Sequence, residues 1–386
     1  MRLPYRFRPL ILSAALTVFA WVPPAQALES PASHVYLMDT ATGAVLMDKK
    51  GAELMAPASM SKLMTLYMMF ERLQDGRLSL DDKFYVSENA WRKGGAKTGG
   101  STMFLEPSMR VRVEDLIRGI VVQSGNDACI VVAEALSGSE EAFAAEMTDR
   151  ARELGLMDST FKNSTGWPDP EHRMSARDLA KLAQITVEQF PEFYHYYSER
   201  TFVFNGIKQS NRNPLIYKDM GADGLKTGHT EESGYGLASS AARKDRRLVL
   251  VVNGLPSKKL RSSESERLLE WGFREFGNYE MFKAGDVVTD AKVWLGQKPS
   301  VSLVIEKDLT LTLPKRARRG LEVKAVFEGP VSAPIQAGQR IGTLSISAPD
   351  VDTVELPLLA GEDVGQLGLV GRLGAALDYI LWGSSH

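Results

Sequence analysis

Cys129 is the only cysteine in 386 residues, so the chain can form no internal disulfide. Its apolar neighbours, Ile130 to Ala135, predict a buried structural thiol. Histidine is scarce too. His34, His172, His195, His229 and His386 form no H-E-x-x-H and meet no paired cysteines, which excludes the usual zinc sites. No G-x-S-x-G elbow occurs, so the serine chemistry of the α/β-hydrolases is not expected. Gly94 to Ser101 approaches a P-loop, but Gly100 stands where the motif requires lysine. No cofactor and no metal are expected. Charge of one sign is also missing, with 46 Lys and Arg against 48 Asp and Glu, which gives no reason to expect nucleic acid. The one sustained apolar run near the start, Leu10 to Val22, is short for a membrane span.

That run has a different reading. Arg2, Arg6 and Arg8 precede it and Ala25-Gln26-Ala27 follows, the pattern of a secretory signal peptide cleaved before Leu28. Export is expected. With those three arginines gone, 43 basic residues face 48 acidic ones. Hydrophobic residues at 44% and charged residues at 24% are globular values, so the remainder should fold.

Val35–Asp39 and Ala44–Asp48 flank Thr40-Ala41-Thr42-Gly43 as a β-hairpin. The spacing of Met60, Leu63, Met64, Tyr67 and Met68 predicts a helix over 59–73 with one buried face. Further helices are expected at 112–122, 126–136, 139–154 and 175–189, the last opened by a capping-box pattern at Ser175-Ala176-Arg177-Asp178. Tyr235–Ala242 and Arg247–Gly254 form a second hairpin, and Ser262–Phe276 a closing helix. Strands, a helical block, then strands and a helix describe an α+β domain over 28–277. Short β-type runs separated by Gly, Pro and Asp predict a small all-β domain over 278–362. Residues 363–386 place Val364, Leu367, Val370, Leu373, Leu377, Ile380 and Leu381 at helical spacing. Such a helix either docks on the β-domain or lies in a membrane surface, with Tyr379 and Trp382 near the headgroups. The membrane reading is adopted, although Arg372 is the tail's only cation and four glycines weaken it.

Three motifs stand in order: Ser59-Met60-Ser61-Lys62, Ser124-Gly125-Asn126 and Lys226-Thr227-Gly228. Each has a decoy. Ser159-Thr160-Phe161-Lys162 has no S-x-N after it. Ser87-Glu88-Asn89 follows a strand-like run and reads as a cap. Lys97-Thr98-Gly99 lies in a glycine-rich loop, whereas Lys226 leads into the second hairpin. Only the ordered set offers a coherent site. A serine hydroxyl needs a base to take its proton, and Lys62, three residues on at a helix start, shares its face. Lys62 can serve only with a lowered pKa, towards which burial, the helix dipole and Lys226 would all push. Ser124 can relay a proton to a leaving amine. Asn126 can hold Lys62 and donate to a substrate carbonyl. The backbone N–H of Ser59 and the one just beyond Gly228 can form an oxyanion hole.

The wider wording resembles the low-molecular-mass penicillin-binding proteins, the serine-type D-Ala-D-Ala carboxypeptidases. The resemblance is carried by Pro57 to Thr65, Ser101 to Leu105, Ser124 to Ala128, Leu154-Gly155-Leu156, Asn163, Gly166, Ser175 to Asp178, Lys226-Thr227-Gly228-His229-Thr230 and Arg261 to Glu266. It implies a β-lactamase/transpeptidase-like catalytic domain, an antiparallel sheet with a helical cluster, followed by a β-sandwich. It also implies peptidoglycan pentapeptide stems as substrate, β-lactam antibiotics as acylating inhibitors, and a place in the periplasm on the outer face of the cytoplasmic membrane. Arg261, with Lys226 and Thr227, would bind the terminal carboxylate, and His229 would line the substrate groove. A DD-endopeptidase shares the motifs. A serine β-lactamase would need a deacylating glutamate, for which Glu171 is the nearest candidate, though no Leu-Asn follows it. A penicillin-binding scaffold with little turnover is a third alternative.

Overall fold

The computed structural model describes residues 28–374. The expected leader, 1–27, and residues 375–386 of the expected tail helix lie outside the described residues. Strands β1 (His34–Asp39) and β2 (Val45–Lys49) form the expected first hairpin. Three strands from far along the chain join them: β3 (Ala222–Thr230), β4 (Gly234–Arg243) and β5 (Arg246–Leu255). The five make one antiparallel sheet in the order β2-β1-β5-β4-β3, which leaves β3 at an edge.

The three interior strands, β1, β5 and β4, are buried without alternation, from Val35 to Asp39, Leu248 to Asn253 and Gly236 to Ala241. Such runs mark a sheet covered on two faces. Tyr36, Met38, Val249 and Val251 join the large core made with the helices. On the other face a helix over Lys258–Glu275 sets Gly272 against Leu37, Leu46 and Leu248.

The helical block contains α1 (Lys62–Gln74), α2 (Val113–Arg118), α3 (Asn126–Ser137), α4 (Glu140–Glu153) and α5 (Ala176–Gln189), and the helix over 258–275 is α6. Helix α1 is buried at every residue from Lys62 to Phe70, not along one face as its periodicity suggests. It lies between sheet and helices, so even its polar positions are enclosed. The helix expected over 112–122 becomes π-helical at Gly119–Gln123 and stops at Ser124, whose φ is +65°. Helix α6 starts at Lys258, four residues before the expected Ser262, because Ser257 caps it by accepting from the Leu260 N–H. Ser175 caps α5 as its pattern predicts, accepting from the Asp178 N–H at 3.1 Å. The Asp178 carboxylate does not return the bond; it accepts from the Asp158 N–H and the Ser159 hydroxyl.

From Phe276 onward the described chain is almost wholly β. Phe276–Phe282 pairs with Leu309–Pro314. A six-stranded sheet, to which Val287–Trp294, Ser300–Val304, Glu322–Phe327, Arg340–Ala348 and Val351–Ala360 belong, closes over Ala291, Val301, Leu303, Leu344, Ile346 and Leu358. The seam between the Phe276–Phe282/Leu309–Pro314 pair and the first sheet is polar. Asn278 donates to the buried Asp39 carboxylate at 3.1 Å and accepts from Thr312 at 2.9 Å, while Arg246 pairs with the same aspartate.

Candidate active site

Ser59 stands in a 3₁₀ turn, Ala58–Ser61, that runs directly into α1 at Lys62. Residues three apart eclipse one another in a 3₁₀ turn, so the serine and lysine meet more directly than in an α-helical first turn. The Lys62 amine lies 2.8 Å from Ser59 Oγ, 2.9 Å from Asn126 Oδ1 and 2.5 Å from the Thr165 carbonyl. A neutral amine carries two hydrogens and one lone pair. The amide oxygen and the carbonyl can only accept, so they take both hydrogens and leave the lone pair facing the Ser59 hydroxyl. Lys62 is wholly buried, and burial above all lowers its pKa to about 8. The Arg212 charge pushes the same way, while Cys129, Glu140 and Asp127 oppose it.

Ser124 is buried in the left-handed conformation between the π turn and α3, and its Oγ has no hydrogen-bond partner among the described residues. Such a backbone is strained for a non-glycine residue, and here it aims the hydroxyl at the site. Asn126 opens α3, and its backbone N–H donates to the Ser101 carbonyl at 2.8 Å. The neighbouring Asp127 carboxylate accepts from the Thr102 hydroxyl and from the N–H groups of Met103 and Leu105, which fixes the segment bordering the cleft.

Lys226, Thr227, Gly228 and His229 lie on the edge strand β3. Lys226 is buried. Burial first, then the Lys62 and Arg212 charges, holds its pKa well below the ordinary lysine value. Its amine makes only a long contact, 3.4 Å, to the Thr227 carbonyl. A Cβ on Gly228 would fall 2.8 Å from the Pro57 carbonyl and 3.3 Å from Ala58 Cβ, so only glycine lets β3 lie against the nucleophile turn. His229 is exposed and its ring stacks on Tyr235 at 3.8 Å between centroids. Arg261, in the first turn of α6, lies 5.7 Å over the Tyr235 ring, and burial lowers its pKa to about 10.

A cleft of about 550 Å³ brings Ser59, Ser124, Thr227, Gly228, His229 and Arg261 together, with Lys62, Asn126 and Lys226 buried behind its floor. Four of its parts were missed at the level of sequence. Arg212 and Lys258 add cations to the Arg261 end, and Arg212 donates to Ser101 Oγ at 2.5 Å. The loop Gly99-Gly100-Ser101 forms a wall. Thr165 holds Lys62 through its carbonyl. An arginine between two asparagines and a backbone oxygen carry no motif, so only the adjacent Asn163 and Gly166 hinted at that turn. Gly166 has φ +79°, and a Cβ there would fall 2.1 Å from the Ala58 carbonyl.

The decoys lie elsewhere. Ser159 bonds Asp178, Ser87 caps the short helix Glu88–Gly94, and Lys97 sits over the Trp91 ring. Glu171 is 74% exposed, pairs with Lys162 at 3.0 Å and does not line the cleft. Cys129 is buried, and its thiol pKa is pushed up to about 12 by burial.

Residues 22–257 match the D-alanyl-D-alanine carboxypeptidase family, peptidase S11, and residues 276–366 match the C-terminal domain of penicillin-binding protein 5. The chain is 38% identical to the D-alanyl-D-alanine carboxypeptidase DacD of Salmonella typhimurium over 365 residues, 94% of this chain and 93% of that one. The fold superposes on penicillin-binding protein 5 from Haemophilus influenzae with a TM-score of 0.77 at 35% identity, covering 89% of this chain and 100% of that one. The crystal structure of the carboxypeptidase DacD from Francisella tularensis gives 0.80 at 30% identity, with 89% and 96% covered. Matched over nearly its whole length, this chain belongs to the S11 D-alanyl-D-alanine carboxypeptidase family of low-molecular-mass penicillin-binding proteins.

Proposed function

We propose that the chain is a serine carboxypeptidase that removes the terminal D-alanine from peptidoglycan pentapeptide stems through a Ser59 ester, and that β-lactams acylate the same serine. The observation that carries this reading is the Lys62 amine, its two hydrogens committed to acceptors and its lone pair left for Ser59.

The substrate lies along the free edge of β3 as an added strand. Ser59 Oγ attacks the carbonyl carbon of the penultimate D-alanine while Lys62 takes the hydroxyl proton. The oxyanion rests on the backbone N–H groups of Ser59 and His229. Asn126 donates its amide hydrogens to the stem. The leaving carboxylate sits at the cationic end with Arg261 and Thr227. When the C–N bond breaks, Ser124 passes its proton to the departing amine and regains one from Lys62, which returns to the free base, with Lys226 beside it. Ser124 Oγ has no hydrogen-bond partner among the described residues, which leaves it available for that transfer. Water then cleaves the ester, with Lys62 again as base. A penicillin presents an amide and a carboxylate in the same relation, and so forms the ester.

Glu171 is exposed and ion-paired to Lys162, which disfavours a β-lactamase mechanism through that residue. The expected tail helix does not begin at 363: Val364 is buried in the β-domain core and pairs with Ile335, Gln366 bridges to Gly296, and helix starts only at Leu369. Export by the leader and attachment of residues 369–386 to the outer face of the cytoplasmic membrane complete the proposal. The chain leaves Leu369, Val370 and Leu373 exposed at 80%, 86% and 66%. Among the described residues no helix is long and apolar enough to cross a membrane, so attachment would be at the surface.

Intact mass after a pulse of benzylpenicillin tests the reading. An adduct on Ser59 persisting for minutes, absent from Ser59→Ala, together with D-alanine release from a pentapeptide, supports it. Labelled Ser59→Ala, or an adduct lost within seconds as penicilloate accumulates, overturns it.

A further inference from the structure

Glu140 is a buried acid outside the three motifs. It opens α4 behind the Ser139 cap, and among the described residues it forms no ion pair. Its Oε1 accepts from both the Ser164 N–H, at 3.1 Å, and the Ser164 hydroxyl, at 2.8 Å. The Ser164 carbonyl accepts from Thr65 of α1 at 2.7 Å, and the next carbonyl, that of Thr165, holds the Lys62 amine.

The turn is therefore fixed in two ways. Asn163 Oδ1 gathers the N–H groups of Thr165, Gly166 and Trp167 at 3.2, 2.7 and 3.0 Å, which sets the turn's shape. Glu140 and Thr65 set where the turn stands against α1. Shape alone does not bring a carbonyl to Lys62; placement does.

We propose that Glu140 is a positioning residue for acylation: by holding Ser164 it keeps the Thr165 carbonyl on the Lys62 amine, and so keeps the amine's lone pair on Ser59. The inference rests on Lys62 being the base. If the carbonyl withdrew, an amine hydrogen could turn towards Ser59 and the lone pair away, and productive geometry would become a minor state. The carboxylate does a second thing that a glutamine could not. Its negative charge favours the protonated Lys62 that forms as the serine proton leaves. Asp127 of α3 acts in the same sense, against burial and the Arg212 and Lys226 charges, while the nearby Cys129 and His172 are each held neutral by their own burial.

The full chain, Glu140→Gln and Glu140→Ala are compared by single-turnover acylation with a fluorescent penicillin between pH 5.5 and 10. Glutamine keeps the acceptor, so the plateau rate should stay within about threefold while the acid limb moves to lower pH. Alanine removes the anchor, so the plateau rate should fall by about tenfold or more, with the half-saturating penicillin concentration changed less than about twofold. Should Glu140→Ala fail to fold, Ser164→Ala deletes one of the two bonds and should lower the plateau by about threefold or more. An unmoved acid limb in Glu140→Gln, or an unchanged plateau in the folded alanine variant, overturns the proposal. The two failures are separable: a wild-type chain that takes no label defeats the carboxypeptidase reading itself, whereas normal wild-type labelling with indifferent variants defeats only the role of Glu140.

Discussion

The rate of acylation should follow the proton on Lys62. With a pKa of about 8, roughly 9% of the amine is free base at pH 7; at the ordinary 10.5 the share would be ~0.03%, so burial enlarges the active fraction about 300-fold. The second-order rate constant for penicillin acylation should rise tenfold per pH unit below 8 and level off above it. Lys62→Arg places a permanently charged guanidinium there and should cost at least ~1,000-fold at every pH. The same lysine should cost stability. Its folded pKa lies below the unfolded value, so the unfolded chain binds the proton more tightly between pH 8 and 10.5. The penalty is complete below pH 8 and fades as pH rises through that window. A shift of about 2.5 units is worth about 3 kcal/mol. Lys62→Met removes that penalty but strands the Asn126 and Thr165 acceptors, which costs about 1–2 kcal/mol. The net gain at pH 7 should be about 1–2 kcal/mol, read by urea denaturation, and should vanish near pH 10. A flat acylation profile from pH 6 to 9, or a Met variant less stable than wild type at pH 7, would refute the assignment of Lys62 as a buried base.

Three further outcomes follow from the geometry. Gly228→Val drives a side chain into the Pro57 carbonyl and Ala58, and should lower acylation at least ~30-fold at a stability cost of about 1–3 kcal/mol, checked by labelling and thermal melts. Arg261→Ala removes a cation from the cleft end proposed to hold the leaving carboxylate and should cost about 2–3 kcal/mol, or ~30–160-fold in kcat/KM for a D-Ala-D-Ala peptide. Activity that survives on that peptide but not on its C-terminal amide would still be expected of Arg212 and Lys258; no change at all would reject the carboxylate site. Removing residues 369–386, which leaves Val364 in the β-domain core, should shift the protein from the membrane to the soluble fraction while peptide turnover persists, and identical fractionation of the two forms would make the tail structural only.

Local rules sufficed for much of this protein. The Ser59–Lys62 spacing, the Thr40–Gly43 turn, the Ser175 cap and the β-run pattern after residue 278 are each written in a few adjacent residues, because helix period, turn chemistry and strand alternation are local. That the three motifs would meet in one cleft was legible because their members are chemically distinctive and ordered, and because the context of each decoy told against it. Tertiary structure alone decided the rest. The burial of α1 on all sides, and with it the pKa of Lys62, depends on what packs around the helix and not on its own sequence. Thr165 acts through a carbonyl that every residue possesses. Arg212, Lys258 and Tyr235 reach the cleft from a loop, a helix start and a strand that the chain order keeps apart, and Glu140 meets Ser164 across 24 residues. Side-chain identity is a property of the sequence, but the environment that turns a lysine into a base is made by contacts between distant segments, and those exist only in the folded chain.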